Sequence, residues 1–397
     1  MTATRIGTPA RSRPVITPVR YGERLARARD ALAERGANAL LIGPGADLHY
    51  LTGYDAMTSE RLAMLVLGPS GRPVIVVARL ETMGAAGCPA AVAGLLDVVA
   101  WDETDDPYAV VAGALRSAGG PAPRNGRVLV SATLWAAHVL RLQSALPGHA
   151  FGLAAEVLRA FRSRKDAEEI ELLRIAAHAA DRVVAAIAAG RLIGRTEADV
   201  ALEVRDRLVA EGHEAAAFAV VASGPNSASP HHAAGDRVIG PGDPIVLDIG
   251  GTLGGYYSDI TRTLWVTGGD PAMKPEAAFL RIFDLTRRAH AAATAAVRPG
   301  IACEQLDGIA RTIIADGGHG PEFIHRLGHG IGLEGHEEPY LVAGNAEALA
   351  PGVPFSIEPG IYQAGRYGVR IEDIVVCGEA GPDVLNEASR ELWVVAG

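Results

Sequence analysis

Residues 241–248 read PGDPIVLD, and residues 351–358 read PGVPFSIE. In both stretches a Pro-Gly turn leads into alternating apolar residues, a pattern that predicts a β-strand. Each strand ends in a carboxylate six positions after the glycine, Asp248 in the first stretch and Glu358 in the second. We interpret the two stretches as copies of one structural unit.

The residues around these stretches repeat in the same order. Each copy begins with a long helical pattern, a glycine and a second helical pattern, at 166–189 and 196–210 in the first copy and at 275–297 and 303–315 in the second. In each copy a strand is predicted between the second helix and the Pro-Gly turn. In the second copy this strand is expected near Phe323. A period of roughly 110 residues exceeds that of solenoid repeats, so we infer a gene duplication with pseudo-twofold symmetry.

The carboxylates of the two copies point to a metal site. Asp248 and Asp259 come from the first copy, Glu358 and Glu372 from the second, and His329 from a glycine-rich segment between them. Four buried anions without cations would cost a prohibitive amount of free energy, and one metal ion rarely needs four carboxylates. Two divalent ions would balance the charge, so these five residues predict a two-metal hydrolytic site.

Simpler explanations exist for each carboxylate taken alone. Asp248 could form a salt bridge or cap a turn. Asp259 could pair with Arg262, although strand residues three apart point to opposite faces. Arg370 could pair with Glu372 along one face of a strand. The duplication argues against these explanations, because it places the carboxylates in matching positions.

Three histidines, His325, His329 and His336, fall within twelve positions among glycines. Glycine lets backbone and ligands approach closely, so this clustering favours a functional role. The chain has no His-Glu-x-x-His motif, which argues against a mononuclear zinc helix. His231 and His232 follow a loop of small residues, where they could line a pocket or lie in a solvent-exposed loop.

The region before residue 160 predicts a separate α/β domain, because short strand-like runs alternate there with helical patterns. The predicted strands are 37–42, 62–67, 73–77, 98–101 and 128–130. We assign residues 1–18 to a disordered tail, since they carry arginines without the apolar segment of a signal peptide. Residues 19–160 are assigned to the amino-terminal domain and residues 161–397 to the duplicated domain.

Composition restricts the possible functions. A chain of 397 residues is too long for one ordinary core, which favours two domains. The formal net charge of −9 argues against nucleic-acid binding and against a basic membrane-binding surface. No apolar run is long enough for a transmembrane helix. Three widely spaced cysteines, Cys88, Cys303 and Cys377, predict no disulfide framework and fit a reducing cytoplasm.

Five segments together resemble the M24 metallopeptidase family, which includes Xaa-Pro dipeptidase (prolidase), Xaa-Pro aminopeptidase and methionine aminopeptidase. The segments are LDIGG at 247–251, SDITRT at 258–263, the stretch 325–339, SIEPG at 356–360 and RIED at 370–373. The segment LTGY at 51–54 resembles, more loosely, the amino-terminal domain of the prolidase and creatinase branch. The resemblance implies an α/β (α+β) fold, with a duplicated pita-bread catalytic domain behind a smaller creatinase/prolidase-type domain.

The resemblance also implies roles for individual residues. The five metal-site residues would hold two divalent ions, with Asp259 and Glu372 matching the family's bridging ligands. Three histidines match the family's substrate-side histidines: His231, His325 and His336. Arg370 matches an arginine that is common in the proline-specific branch.

Two ions about 3.5–4 Å apart would hold a bridging water and lower its pKa, giving hydroxide near neutral pH. Oxygen-rich ligation favours Mn, and Co, Fe or Zn are also compatible. Glu358 would relay the proton from the attacking water to the leaving nitrogen. His336 would hydrogen-bond the scissile carbonyl and later the oxyanion. His231 would hold the imide side or the carboxylate of the substrate.

The expected reaction is hydrolysis of Xaa-Pro dipeptides by this metal-bridging hydroxide. The bond before proline lacks the N–H that most peptidases read. Two alternatives are an Xaa-Pro aminopeptidase acting on longer peptides and a family member that hydrolyses a small non-peptide amide. A binding module without activity is disfavoured, because all five ligands are present. A dipeptidase needs a wall or cation near the substrate carboxylate, which the sequence does not locate.

The amino-terminal domain is expected to mediate assembly into a homodimer, with a tetramer as the alternative. In such assemblies a loop of one subunit can close the site of the other. The loop 53–61, with Tyr54 as a substrate contact, is the candidate for this role, and an ordinary surface connection is the alternative.

Overall fold

The structure, a computed structural model, describes residues 13–119 and 126–397. It divides into two compact units, Ile16–Arg162 and Ser163–Gly397, and residues 13–15 belong to the second. Each unit has its own sheets and its own hydrophobic core. None of the helices in the described parts of the chain is long and apolar enough to cross a membrane.

Most of the predicted tail, residues 1–18, lies outside the described residues. Residues 13–18, the described end of this segment, are ordered, although the sequence predicted a disordered tail. Arg13 forms an ion pair with Glu214. A helix begins at Pro18 because proline suits the first position of a helix and because the side chain of Thr17 caps the helix.

The amino-terminal unit has six strands and seven α-helices in its described residues. In chain order they are α1 (Pro18–Glu34), β1 (Ala39–Ile42), α2 (Ala46–Thr52), β2 (Met64–Leu67), β3 (Val74–Ala78), α3 (Thr82–Gly87), α4 (Pro89–Val92), β4 (Asp97–Trp101), α5 (Pro107–Ser117), β5 (Arg127–Val130), α6 (Ala136–Ala145), β6 (Ala150–Leu153) and α7 (Ala155–Arg162).

The six strands form one mixed sheet in the order β4-β3-β2-β1-β5-β6. Strands β1, β2 and β3 are buried at every position, as their continuous apolar sequences require. The five strands predicted for this region are confirmed. Strand β6 was missed, because it lies at the edge of the sheet and its residues are only partly buried.

The carboxy-terminal unit contains the predicted duplication. In chain order its helices and strands are α8 (Ala167–Ala188), α9 (Glu197–Ala210), β7 (Ala215–Ser223), β8 (Pro244–Leu253), β9 (Tyr256–Tyr257), β10 (Ile260–Val266), α10 (Ala277–Ala296), α11 (Cys303–Asp316), β11 (Gly328–Gly330), β12 (Glu337–Leu341), β13 (Val353–Ile357), β14 (Gly360–Gln363), β15 (Tyr367–Arg370), β16 (Asp373–Gly378), β17 (Gly381–Val384) and β18 (Trp393–Val395).

The main helices and the central strands of the two copies correspond. Helices α8 and α9 of the first copy match α10 and α11 of the second, and strands β8 and β10 match β13 and β16. The first copy forms a sheet in the order β18-β10-β8-β7, with β9 paired to β8, and the second a sheet in the order β12-β11-β13-β16-β17. Each copy has its own apolar core between its helices and its sheet.

The Pro-Gly turns of the two copies have the same geometry. Gly242 and Gly352 have φ angles of 86° and 85°, a conformation that favours glycine. The Gly242 N–H donates to the carbonyl of Val266 at 2.7 Å, and the Gly352 N–H to the carbonyl of Cys377 at 2.8 Å. In each copy the turn is therefore tied to the neighbouring strand, β10 or β16, which fixes the register of β8 and β13.

The strand predicted near Phe323 is wrong. The chain there forms a short 3-10 turn, Gly320–Glu322, and the next strand, β11, begins only at Gly328. The carbonyl groups of Phe323 and His325 accept hydrogen bonds from the side chain of Arg311, both at 2.9 Å. The side chain of Arg311 thus supplies the hydrogen bonds that these carbonyl groups would otherwise receive from a neighbouring strand.

Candidate active site

Nine of the ten predicted site residues line one cavity of about 530 Å³ in the carboxy-terminal unit. They are Asp248, Asp259, His329, Glu358, Glu372, His231, His325, His336 and Arg370. Phe218, Val220 and Pro230 add an apolar wall, and Arg326 adds a cation that the sequence prediction did not include.

The carboxylates reach the cavity from equivalent places in the two copies. Asp248 lies within β8, and Glu358 directly follows the matching strand β13. Asp259 directly precedes β10, and Glu372 directly precedes the matching strand β16. An isolated bridge between Thr261 and Glu372 joins the two copies at this point, so the duplication itself brings the four acids together.

Asp259, His329 and Glu372 each offer one ligand atom, and these atoms lie within 4.8 Å of one another. All three residues are buried, with exposures of 4%, 2% and 2%. Burial and the charge of Glu372 raise the pKa of Asp259 well above its usual range. Burial and the charge of Glu358 raise the pKa of Glu372 in the same way. The cavity is therefore short of positive charge.

Arg370 neutralises part of this charge. Its Nη2 donates to Oδ2 of Asp248 at 2.5 Å, its Nη1 to the hydroxyl of Tyr362 at 2.9 Å and its Nε to the hydroxyl of Thr261 at 3.0 Å. The Thr261 hydroxyl in turn donates to Glu372 at 2.6 Å. The salt bridge considered for Asp248 thus exists, and Arg370 makes it rather than pairing with Glu372.

The alternative partner considered for Asp259 is also occupied elsewhere. Arg262 donates to Asp373 at 2.7 Å and to the carbonyl of Glu372 at 2.5 Å. In the described parts of the chain, Oδ1 of Asp248 and Oδ1 of Asp259 are buried without a hydrogen-bond partner. Buried carboxylate oxygens without donors are unfavourable unless a cation binds them.

His329 presents one nitrogen to the acids. Its Nδ1 donates to the carbonyl of Gly330 at 3.1 Å, and its Nε2 lies 3.2 Å from Glu358 and 3.8 Å from Asp259. A backbone carbonyl that fixes one ring nitrogen leaves the other free to bind a metal. Burial raises the pKa of Glu358, but the hydrogen bond and charge of His329 outweigh this effect and hold that pKa at about 2.

Glycine is required where β11 meets β13. A Cβ added to Gly328 would lie 1.9 Å from the carbonyl oxygen of Ser356. This close approach allows the Ser356 hydroxyl to accept the N–H of His329 at 3.0 Å and to donate to Glu358 at 3.1 Å. The glycines beside His329 thus serve close backbone packing, as the sequence indicated.

His325 has both ring nitrogens engaged by the protein. Its Nδ1 donates to the carbonyl of Arg326 at 2.8 Å, so its Nε2 accepts the hydroxyl of Tyr362 at 2.9 Å. Burial lowers the pKa of His325, which keeps the ring neutral. Both ring nitrogens of His325 are therefore used within the protein, and the Tyr362 hydroxyl that donates to its Nε2 accepts from Arg370.

His336 lies at the solvent-exposed side of the cavity. Its ring centroid is 3.9 Å from that of His329, and its Nδ1 accepts from Nη2 of Arg326 at 3.3 Å. Partial desolvation and the nearby charges of His329 and Arg326 lower the pKa of His336 to about 4. The neutral ring therefore carries its proton on Nε2, where it can donate to a bound carbonyl.

The two remaining predicted residues lie in different surroundings. His231 is exposed on the loop after β7 and lines the cavity. Tyr54 belongs to the amino-terminal unit, where it is buried with an exposure of 6%. Burial also raises the pKa of its phenol.

The donor set fits divalent metal ions. Four carboxylates and one imidazole are the ligands that hard and borderline cations prefer. The oxygens without partners on Asp248 and Asp259 and the raised pKa values of Asp259 and Glu372 indicate a site that lacks positive charge. Bound cations would give these oxygens a partner and would supply the missing positive charge.

Comparison with known proteins gives the same result. The model of metallopeptidase family M24 matches residues 171–379, which include all five proposed ligands. The chain belongs to this family. The model of the creatinase/prolidase N-terminal domain matches residues 24–164 of the peptidase. The expected fold, a duplicated α/β metallopeptidase domain behind a creatinase/prolidase-type domain, is confirmed.

Two solved structures cover nearly the whole peptidase, and a third relative covers part of it. A crystal structure of dipeptidase PepE from Mycobacterium ulcerans is 46% identical, covers 96% of this chain and 100% of its own, and has a TM-score of 0.88. A prolidase from Thermococcus sibiricus is 32% identical over 94% of this chain and 98% of its own, with a TM-score of 0.86. An Xaa-Pro dipeptidase from Pyrococcus furiosus is 40% identical over 60% of this chain and 67% of its own.

Membership of this family makes the protein a metal-dependent peptidase and implies divalent metal ions. The sequence prediction missed three residues that contact the predicted ones: Thr261, Tyr362 and Arg326. Thr261 could have been found, because Asp259, Thr261 and Thr263 alternate onto one strand face. The sequence carries no comparable signal for Arg326 or Tyr362.

Proposed function

We propose that the chain is a two-metal peptidase that cleaves the bond before proline in Xaa-Pro dipeptides. The observation that carries the proposal is the single cavity lined by five potential metal ligands, three histidines and two arginines. The names of the relatives, dipeptidase, prolidase and Xaa-Pro dipeptidase, favour the same substrate class.

The proposed ligands are Asp248, Asp259, His329, Glu358 and Glu372, with Asp259 and Glu372 shared between two ions. Their oxygen-rich character favours Mn, and Co, Fe or Zn are compatible. When bound, such ions lower the pKa of a water molecule and polarise the scissile carbonyl.

The chain's own residues supply the proton transfers and the orientation. Glu358 lies 3.2 Å from Nε2 of His329 in the cavity, and as a carboxylate it would accept the proton of the attacking water and deliver it to the leaving nitrogen. His336 donates from Nε2 to the oxygen that becomes negative during the attack. His231, on the loop after β7, holds the proline side of the substrate.

Arg326 is the cation that a dipeptidase requires. It is half-buried, lines the cavity and lies with its guanidinium carbon 4.2 Å above the ring of Tyr340. Nη2 of Arg326 donates one N–H to Nδ1 of His336, and the remaining N–H groups of the stacked guanidinium would bind a carboxylate. A free carboxylate directly after proline exists in an Xaa-Pro dipeptide and is absent at that position in a longer peptide. Arg326 therefore favours the dipeptidase over the Xaa-Pro aminopeptidase.

The test compares a dipeptide with a tripeptide that has proline second, using protein stripped by chelator and reloaded with Mn²⁺. We expect the dipeptide to have the higher kcat/KM and activity to disappear without metal. Arg326→Met should raise KM for the dipeptide about 10- to 100-fold, as the loss of a charged hydrogen bond requires. The exposed Arg288→Met controls for the loss of one positive charge.

A preference for the tripeptide would identify an Xaa-Pro aminopeptidase. Absence of Xaa-Pro hydrolysis at full metal occupancy would favour the third possibility, a small non-peptide amide. Either result would overturn the dipeptidase proposal, and only the second would also remove proline specificity.

The remaining expectations are also proposals. We infer a homodimer that works in the cytoplasm, with residues 19–160 as the assembly domain and residues 161–397 as the catalytic domain. The loop 53–61 would then contact the substrate bound by the partner, and assembly would have to expose the buried ring of Tyr54 for that residue to take part. Wild-type kinetics for Tyr54→Phe and Tyr54→Ala would contradict this last role.

A further inference from the structure

Glu197 is a fully buried carboxylate outside the metal site, with an exposure of 0%. It is the first residue of α9 and accepts hydrogen bonds only from one segment, residues 223–235, among its described contacts. The donors are the N–H and hydroxyl of Ser223, both at 2.7 Å, the amide of Asn226 at 3.1 and 3.2 Å, Nε2 of His232 at 2.7 Å and the N–H of Gly235 at 3.4 Å.

This segment forms one wall of the cavity. It carries Pro230 and His231, which both line the cavity. The carbonyl of Pro230 accepts from Nη1 of Arg370 at 3.3 Å, and the hydroxyl of Ser227 accepts the N–H of Gly368 at 2.8 Å. The segment therefore has to be held in one arrangement for His231 to face the same space as the metal ligands.

A carboxylate is well suited to hold such a segment. Burial raises the pKa of Glu197, but the hydrogen bonds from Ser223, His232 and Asn226 outweigh this effect and hold that pKa below its usual value. The group is therefore an anion, and the amino end of α9 also favours negative charge at this position. A displaced segment would leave this buried anion without donors, which is costly.

The second copy of the duplication contains a similar arrangement. Asp307, on α11, has an exposure of 1% and accepts the N–H of Leu327 at 3.0 Å. It also binds Arg311 at 2.9 Å through both oxygens, and Arg311 donates to the carbonyl of His325. In both copies, a buried acid on the second helix holds the loop that carries a cavity histidine.

We propose that Glu197 is a positioning residue of the active site. It fixes residues 223–235 so that His231 faces the substrate and the carbonyl of Pro230 stays bonded to Arg370. This inference rests on the proposed function only in assigning His231 to the substrate.

The test is Glu197→Gln, which keeps the size of the side chain but replaces one acceptor by a donor. The matched control is Asp199→Asn. Asp199 is an exposed acid in the first turn of the same helix, and it hydrogen-bonds to Thr196 rather than to residues 223–235. We expect Glu197→Gln to raise KM for an Xaa-Pro dipeptide about tenfold, with kcat within about threefold of wild type. Metal content should stay unchanged. Hydrogen–deuterium exchange should accelerate in residues 223–235, and Asp199→Asn should match wild type in all these measurements.

Unchanged KM and unchanged exchange in folded Glu197→Gln would overturn the inference. If that variant does not fold, His232→Asn decides the question, because it removes one hydrogen bond from the half-buried end of the network. Wild-type exchange and KM in His232→Asn would then overturn the inference. If wild-type protein cleaves no Xaa-Pro peptide, the proposed function fails, and the exchange measurement still tests whether Glu197 holds the segment.

Discussion

Replacing Asp259 by asparagine should have opposite effects on stability with and without metal. The substitution removes one negative charge from a buried position, where Asp259 has an exposure of 4%, and changes the side-chain volume very little. In the metal-free protein the charge is unfavourable, because burial and the charge of Glu372 raise the pKa of Asp259. In the metal-loaded protein the same charge would bind a cation, if Asp259 is a ligand as proposed.

The size of the effect follows from the distance between the ligand atoms. At the 4.8 Å that bounds the ligand atoms of Asp259 and Glu372, two negative charges repel by about 3.5 kcal/mol for an effective dielectric constant of about 20. Partial protonation relieves some of this, so metal-free Asp259→Asn should be about 1–3 kcal/mol more stable than wild type. Wild type should gain about 2.7 kcal/mol per ion at a metal concentration 100-fold above Kd. The variant should lose most of this gain.

The assay is urea unfolding of both proteins in chelator and in saturating Mn²⁺. Asp206→Asn is the control, since it removes one exposed carboxylate from α9 and should behave as wild type in both conditions. The reasoning is refuted if Asp259→Asn is less stable than wild type without metal. It is also refuted if the variant retains the full stabilisation by Mn²⁺.

Three further predictions concern other residues. His336→Ala should lower kcat about 10²- to 10³-fold, as expected for an oxyanion donor, with metal content unchanged in elemental analysis. Arg262→Ala should lower the free energy of unfolding by about 3–5 kcal/mol, because it leaves the buried Asp373 without its main partner. The exposed Arg288→Ala should cost less than about 1 kcal/mol in the same urea titration. The folded-state pKa of Glu197 is lowered, so its stabilisation is present above the unfolded value of about 4.3 and is lost as pH falls through the folded value. Glu197→Gln should therefore flatten the dependence of unfolding free energy on pH in that acidic range.

The duplicated strands made much of the fold and the site predictable. The matching positions of Asp248 and Glu358 followed from a local pattern, a Pro-Gly turn and an alternating strand, which needs no long-range information. The capping box that begins α9, formed by Thr196 and Asp199, is a local feature of the same kind. Local sequence determines such features because their partners lie three residues apart.

The features that escaped prediction depend on contacts between distant residues. The pairing of Arg370 with Asp248 joins the two copies across 122 positions, and Glu197 acts on a segment that begins 26 positions later. The strand expected near Phe323 failed because Arg311 takes the backbone carbonyls there. Tertiary contacts, which alternation and helical periodicity do not encode, decide each of these cases.

The central claim is that the carboxylates of the two copies hold two cations in one cavity. An anomalous-scattering map from crystals grown with Mn²⁺ tests it most directly. We predict two peaks about 3.5–4 Å apart, both in contact with Asp259 and Glu372. A single peak, or none, in crystals of protein that hydrolyses an Xaa-Pro dipeptide would contradict the account.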